Sequence, residues 1–268
     1  MDSAYTREKL EQAIRDVGIQ EGDIVSLQVS LGRLGLMNGV SADFNDISNE
    51  VIDSFLSVLG KEGTLLVPTY TYSIGKGEIF DVQHTPSAIG EFPEIFRKKT
   101  GAKRSRDPML SNAAIGPKSD ELLKDISKSC YGHGSTFEKM RNSNAIICTL
   151  GIGIHWATFR HHIEEMANVP FRFHKAFYGT VIESGIQEKV QWNYFAAPKG
   201  VKNCQPNGLP LEEAAKKNGL IKVRPVGKSE IMAINSREYY EFGILELGKD
   251  PWLTAVGPKL DMNKVAKQ

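Results

Sequence analysis

The chain has only three cysteines, Cys130, Cys148 and Cys204, and no CxxC pair. An odd count without paired spacing excludes a disulfide framework and a zinc knuckle, and free thiols in a reducing compartment are expected. No stretch approaches the ~20 consecutive apolar residues that cross a bilayer. The opening MDSAYTREKLEQAIRDVG is charged and has no apolar centre, so it does not read as a secretory signal, and a cytoplasmic location is expected. Charge of one sign is lacking too: 33 Lys and Arg against 32 Asp and Glu leave a formal charge of +1. Neither nucleic acid nor an anionic membrane is therefore expected as a partner. Repeats and low-complexity tracts are missing. So is GxGxxG, because Gly32, Gly35 and Gly39 are wrongly spaced, and so are a Walker GKS/GKT and HExxH.

What is present is an ordinary globular composition, 41% apolar and 24% charged over 268 residues. That suits a single domain over 1–268, with a weakly marked boundary near 170–200 that would set off a subregion at about 175–268. Residues 6–17 and 44–59 carry apolar residues at helical spacing, and Gly18 and Gly60 stop them. Between them Asp23–Ser30 alternates like a strand, and Gly63–Thr69 is an apolar run suited to a strand buried on both faces. This order opens an α/β fold. Further helices are expected at 89–99, 119–128, 135–141, 155–167 and 211–218. Strands are expected at 113–116, 145–150, 178–182, 189–195, 221–226 and 230–235. The long polar stretch 70–88 is a loop of the kind that often carries function.

Four segments carry chemistry-bearing residues. In TFRHHIEE (158–165), helical spacing sets His161 beside Glu164 and His162 beside Glu165. A carboxylate that fixes the imidazole tautomer makes a histidine a general base near neutral pH, while an exposed charged helix face is the plain alternative. A metal set of His155, His161 and Glu165 is a third option without a recognised spacing. SLGRLG (30–35) offers backbone N–H groups to a cofactor, or is a connecting turn. RSRDPMLS (104–111) offers Arg104 and Arg106 to a phosphate, with Asp107 placed to cap a turn or touch a cationic substrate. In YGHGSTF (131–137), Ser135 reads as the N-cap of the next helix and His133 as turn chemistry.

Taken in order, VSLQVSLGRLG (25–35), GTLLVPTYT (63–71), TPSAIGEFPEIFRKKTGAKRSRDPMLSNAAIG (85–116), YGHGSTFEKM (131–140) and TFRHHIEE (158–165) resemble the aminoglycoside 3-N-acetyltransferase family. The resemblance implies a three-layer α/β/α sandwich with a central mixed sheet, unlike the GNAT acetyltransferases, plus a smaller C-terminal β-rich portion. It implies acetyl-CoA, or another acyl-CoA, as co-substrate without a metal. The acceptor would be a small-molecule amine: an amino sugar, a sugar nucleotide or an aminoglycoside. The family's T-x-x-H-x-x-E pattern falls on Thr158, His161 and Glu164, which makes His161 and Glu164 the catalytic candidates. Its coenzyme A contacts fall on Ser30, Leu31, Gly32, Arg33, Leu34 and Gly35 and on Arg104, Ser105 and Ser111, with Thr69 added at the end of its strand. Gln28 and Asp107 stand where the family pattern has histidines. They are read as acceptor-binding positions together with Glu78 and Asp81, whose charge would attract an amine. A homodimer is one option the sequence leaves open.

The expected reaction is direct transfer, with His161 taking the amine proton and Glu164 stabilising the imidazolium. A catalytically inactive relative that binds coenzyme A or a sugar, and a metal-dependent hydrolase, are the alternatives.

Overall fold

The computed structural model describes residues 4–265. Along the chain run α1 (Arg7–Asp16), β1 (Ile24–Val29), α2 (Phe44–Leu59), β2 (Thr64–Pro68), β3 (Phe80–Asp81), α3 (Glu91–Lys98), β4 (Lys103–Arg104), β5 (Asn112–Ile115) and α4 (Ser119–Leu123). Then follow α5 (Thr136–Asn142), β6 (Ile146–Leu150), α6 (Arg160–Met166), β7 (Phe173–Glu183), β8 (Ile186–Ala196), α7 (Leu209–Lys217), β9 (Lys222–Val226), β10 (Ser229–Asn235) and α8 (Ser236–Lys249).

Seven strands make one mixed sheet in the order β4-β5-β2-β1-β6-β10-β9, in which β2, β1 and β6 are parallel and the outer pairs antiparallel. Side chains of a strand alternate between faces, and β2 shows the consequence. Leu65 and Val67 join one core with α1, α2 and α3, including Leu10, Ile52, Phe55 and Phe96. Leu66 joins the other, with Phe159 and Ile163 around α6 and Tyr239 of α8. The sheet is thus the middle of three layers, and all five residues of β2 are buried, as its apolar run requires.

The expected smaller β portion is a second sheet, β3-β7-β8. Its hairpin is longer than the alternation indicated, eleven residues in each strand, and β3 adds parallel to β7 with Phe80 opposite Val181. β9 and β10 instead complete the central sheet, with Ile231 opposite Leu150, so residues 175–268 contribute to both sheets.

Two helical expectations change, and one helix was not expected. The helix expected at 119–128 ends at Leu123. The one expected at 155–167 divides into a 3-10 turn at Ile154–Trp156, an extended Ala157 and α6, because Thr158 N donates to the side chain of Gln28. α8 has no counterpart in the sequence reading. Its Gly243 interrupts the helical pattern because α6 lies too close for a side chain: a Cβ there would meet Ile163 Cγ2 at 2.7 Å. Among the described residues no helix is long and apolar enough to cross a membrane.

Candidate active site

β1, β2 and β6 end on the same side of the sheet, and an open α/β sheet offers its ligand crevice there. A crevice of about 470 Å³ opens at that edge, walled by Val29, Tyr70, Tyr72, Phe92, Trp156 and Thr158 among others. Gln28 staples its far wall to β1: its side-chain oxygen accepts from Thr158 N at 3.1 Å and its amide nitrogen donates to the Trp156 carbonyl at 3.4 Å. Tyr72 sits in the left-handed region at φ 55°, a conformation that costs on the order of 1–3 kcal/mol for a non-glycine residue. Its backbone N–H is held by the Met109 carbonyl at 3.1 Å.

One helical turn after Thr158 lies the candidate pair. His161 Nδ1 stands 2.7 Å from Glu164 Oε2. Glu164 is completely buried, and Arg160 and Arg172 also pair with its carboxylate, Arg172 Nε at 2.8 Å. Burial disfavours the charged carboxylate, but the two guanidiniums outweigh it and hold the Glu164 carboxyl well below the usual range. An ionised carboxylate only accepts, so His161 Nδ1 carries the hydrogen and Nε2 keeps its lone pair. Burial, and then Arg172 and Arg160, push the His161 imidazole down to about 3. Its side chain is 15% exposed, and the Tyr131 ring packs against it with centroids 5.3 Å apart. His161 does not itself line the crevice; Thr158 is the residue of α6's approach that does.

His162 is a different case. It is fully buried, donates from Nδ1 to the Tyr131 carbonyl at 2.5 Å and stacks on Tyr240. Burial lowers it to about 4. The metal set of His155, His161 and Glu165 is not assembled: His155 Nδ1 pairs with Glu212 at 2.7 Å and His161 with Glu164. Glu165 reaches Ser129 and lies 3.9 Å from His174.

The remaining expected residues separate into three places. The loop Ser30–Gly35 forms a 3-10 turn whose Leu31 and Leu34 are buried, while Gly32 and Arg33 are exposed. Leu31, Gly32 and Gly35 border a second cavity of about 390 Å³, together with Lys228. Glu78 is exposed, and Asp81 accepts from Gln83 N and His84 N at 2.9 Å; neither lines the crevice. The third group is a buried knot that ties β2 to β5. Thr69 and Ser111 are both buried, and Ser111 Oγ donates to the Thr69 carbonyl at 2.7 Å. Ser105 is buried with its hydroxyl accepting from Asn112 N. Asp107 is also buried and caps the turn, accepting from Met109 N and Leu110 N, so the geometry takes the capping alternative rather than the substrate contact. Burial raises its carboxyl to about 6.

Arg104 clamps this knot. It donates to the carbonyls of Thr69, Val82 and Thr85 and to the hydroxyls of Thr69 and Ser111. Those donors are committed to the protein rather than offered to a phosphate. Arg104→Ala is therefore expected to destabilise the chain by roughly 3 kcal/mol, since carbonyls lose charge-assisted donors. Arg104→Lys is expected not to restore it, because an ammonium lacks the planar fork. Denaturant unfolding reads this directly; an unchanged midpoint with a raised donor KM would return Arg104 to the phosphate.

Glu165 gives a second, pH-dependent expectation. Burial raises its carboxyl to about 7. A raised carboxyl contributes stability that is complete below the unfolded value near ~4.3 and is lost as pH rises through the folded value. Glu165→Gln removes that loss, so the variant gains on the wild type between pH 5 and pH 8. Thermal unfolding at both pH values checks this, and an equal difference at the two would contradict it. His161 and His162, both lowered, act oppositely and withdraw stability as pH falls below ~6.5.

The three cysteines are buried, and burial pushes each thiol up, with Asp107 and Glu165 adding to the effect at Cys130. None is poised as a thiolate.

The family model described as aminoglycoside 3-N-acetyltransferase matches residues 27–247. Aminoglycoside N(3)-acetyltransferase VII of Streptomyces paromomycinus is 22% identical over 91% of this chain and 91% of its own length. The type IV enzyme of Salmonella sp is 23% identical over 91% and 92%. The type IX enzyme of Micromonospora chalcea is 24% identical, over 61% of this chain and 63% of its own length. The crystal structure of aminoglycoside acetyltransferase AAC(3)-Xa superposes with a TM-score of 0.79 at 22% identity, covering 92% of this chain and 93% of the other. AAC-IIIb, solved with CoASH, superposes with 0.79 at 19% identity over 96% and 100%. AAC-VIa, solved with sisomicin, gives 0.76 at 22% over 92% and 98%. The crevice at the parallel strand ends and the histidine–carboxylate pair of α6 thus stand on the fold of known acyltransferases, and the chain belongs to the aminoglycoside 3-N-acetyltransferase family.

Proposed function

We propose that this chain transfers the acyl group of acetyl-CoA to the amine of an amino sugar or aminoglycoside, with His161 as general base. The observation that carries the reading is the 2.7 Å contact of His161 with a buried, charge-held Glu164, one turn from the crevice wall. Relatives solved with CoASH and with sisomicin support the two substrate classes.

The donor arm enters from the Val29 side, next to the Ser30–Gly35 loop. The backbone N–H groups of Leu31, Gly32 and Gly35, with Lys228 in the cavity they border, suit its phosphates, while those of Ser30, Arg33 and Leu34 are bonded within the protein. The acceptor enters from the Trp156 side. As the amine lone pair forms the C–N bond at the thioester carbonyl, Nε2 of His161, behind the Thr158 wall, takes the proton through a water. The C–S bond then breaks, and the proton passes on to the leaving thiolate. No acyl-cysteine intermediate is invoked, because all three thiols are buried and burial raises each.

The geometry refines the part played by Glu164. Arg160 and Arg172 already compensate its charge, so it fixes the His161 tautomer and ring more than it stabilises an imidazolium. Burial and the two guanidiniums keep the imidazole neutral at rest, and they also make it a weaker base than a free histidine. The test is thiol release from acetyl-CoA with a panel of amines, with the acetylated amine identified by mass. Release that no amine accelerates would refute the proposal.

A further inference from the structure

We propose that the uncharged crevice selects an acceptor with a single amine on an uncharged ring, and that Trp156 holds this acceptor by stacking on that ring. The inference rests on the acyl-transfer reading and narrows its acceptor class. Among the described residues, none of those lining the crevice is Asp, Glu, Lys, Arg or His. A polycation entering it would surrender hydration without meeting a counter-charge. One ammonium is tolerable, because the faces of Tyr72 and Trp156 attract a single cation.

Trp156 is 61% exposed on the crevice wall, an unusual position for the largest apolar side chain. Its backbone, by contrast, is fixed from two sides. Gln28 bonds to its carbonyl and to Thr158 N. On the other side the buried Glu212 accepts both the backbone N–H and the Nδ1 of His155 at 2.7 Å, and Lys216 holds its second oxygen at 2.7 Å. Gly153 admits that brace: a Cβ there would lie 2.6 Å from Glu212 Oε2. The mechanism does not use this second histidine–glutamate pair. It makes the turn Ile154–Trp156 rigid and leaves an indole projecting from it. An indole on a fixed backbone has only two side-chain torsions to lose on binding and stacks on the C–H face of a sugar ring.

The experiment compares glucosamine with the polyamine sisomicin as acceptors for the full chain, with acetyl-CoA as donor. Wild-type kcat/KM is expected to favour glucosamine at least tenfold. Trp156→Ala is expected to raise the glucosamine KM about tenfold, with the acetyl-CoA KM within twofold, and Trp156→Phe to recover most of the difference. Circular dichroism of both variants confirms that they fold. Preference for sisomicin, an acceptor KM that Trp156→Ala does not move, or a rise in the donor KM instead would each overturn the inference while leaving acyl transfer standing. Thiol release that no amine accelerates would instead sink the acyl-transfer reading beneath it.

Discussion

Replacing His161 with alanine is expected to lower kcat by roughly 10²–10⁴-fold, the usual worth of a positioned general base. Donor binding should change little, because neither proposed donor contact, the Val29 wall nor the Ser30–Gly35 loop, includes His161. His162→Ala serves as the contrast. That ring is fully buried against Tyr131 and Tyr240, so its loss is expected to show first as lower stability. The pH dependence sharpens the test. A free histidine would impose a break near ~6.5. His161 is lowered to about 3, so it remains deprotonated from pH 5 to pH 8. The wild-type rate should therefore rise with the fraction of acceptor amine that is neutral, without a break near 6.5. His161→Ala should keep that slope at a much lower level. Turnover within a few-fold of wild type in the alanine variant would contradict the assignment, whereas a wild-type break near ~6.5 that the variant lacks would contradict the lowered imidazole and leave His161 as the base.

Part of this site was legible in the chain, and the limit is physical. The pairing of His161 with Glu164 follows from helical spacing, and so does that of Arg160 with Glu164, which lies four residues away. Arg172 and Tyr131 have no such signal, because the fold alone brings them to α6. The central strands were readable because a strand buried on both faces leaves an unbroken apolar run, as in β2. The bounds of α2 were readable because Gly60 closes a strongly apolar-periodic segment, and Asp43 caps its other end. α8 was not, since Gly243 there answers to Ile163 across the packing and breaks the local pattern. Thr69, Ser105, Ser111 and Arg104 carry two readings in the sequence for one reason. Hydroxyls and guanidiniums that could hold a cofactor serve equally well to satisfy backbone groups at a strand junction, and only burial distinguishes the two. Trp156 points the other way: a tryptophan in a chain reads as core, and only the fold shows it projecting into a crevice.

Glu164→Ala is expected to have the largest effect on stability. The substitution leaves Arg160 and Arg172 as buried positive charges without their carboxylate, and breaking such a group from one side costs about 3–5 kcal/mol. At the ~2–4 °C per kcal/mol found for chains of this size, the transition should fall by on the order of 10 °C. Activity alone would then confuse a lost fold with a lost catalytic contact, and a graded series separates them. Glu164→Gln keeps the shape and an acceptor oxygen for His161 while removing the charge. It should destabilise nearly as much, since both arginines lose their counter-charge, yet below its transition it should retain more turnover than Glu164→Ala. Removing charge from both sides, with Glu164→Gln in an Arg160→Met background, should regain stability relative to Glu164→Gln alone. An additive loss in the double variant would mean that Arg160 does not depend on this carboxylate. Equal turnover in Glu164→Gln and Glu164→Ala below their transitions would mean that the carboxylate serves the fold and leaves the His161 tautomer to other neighbours.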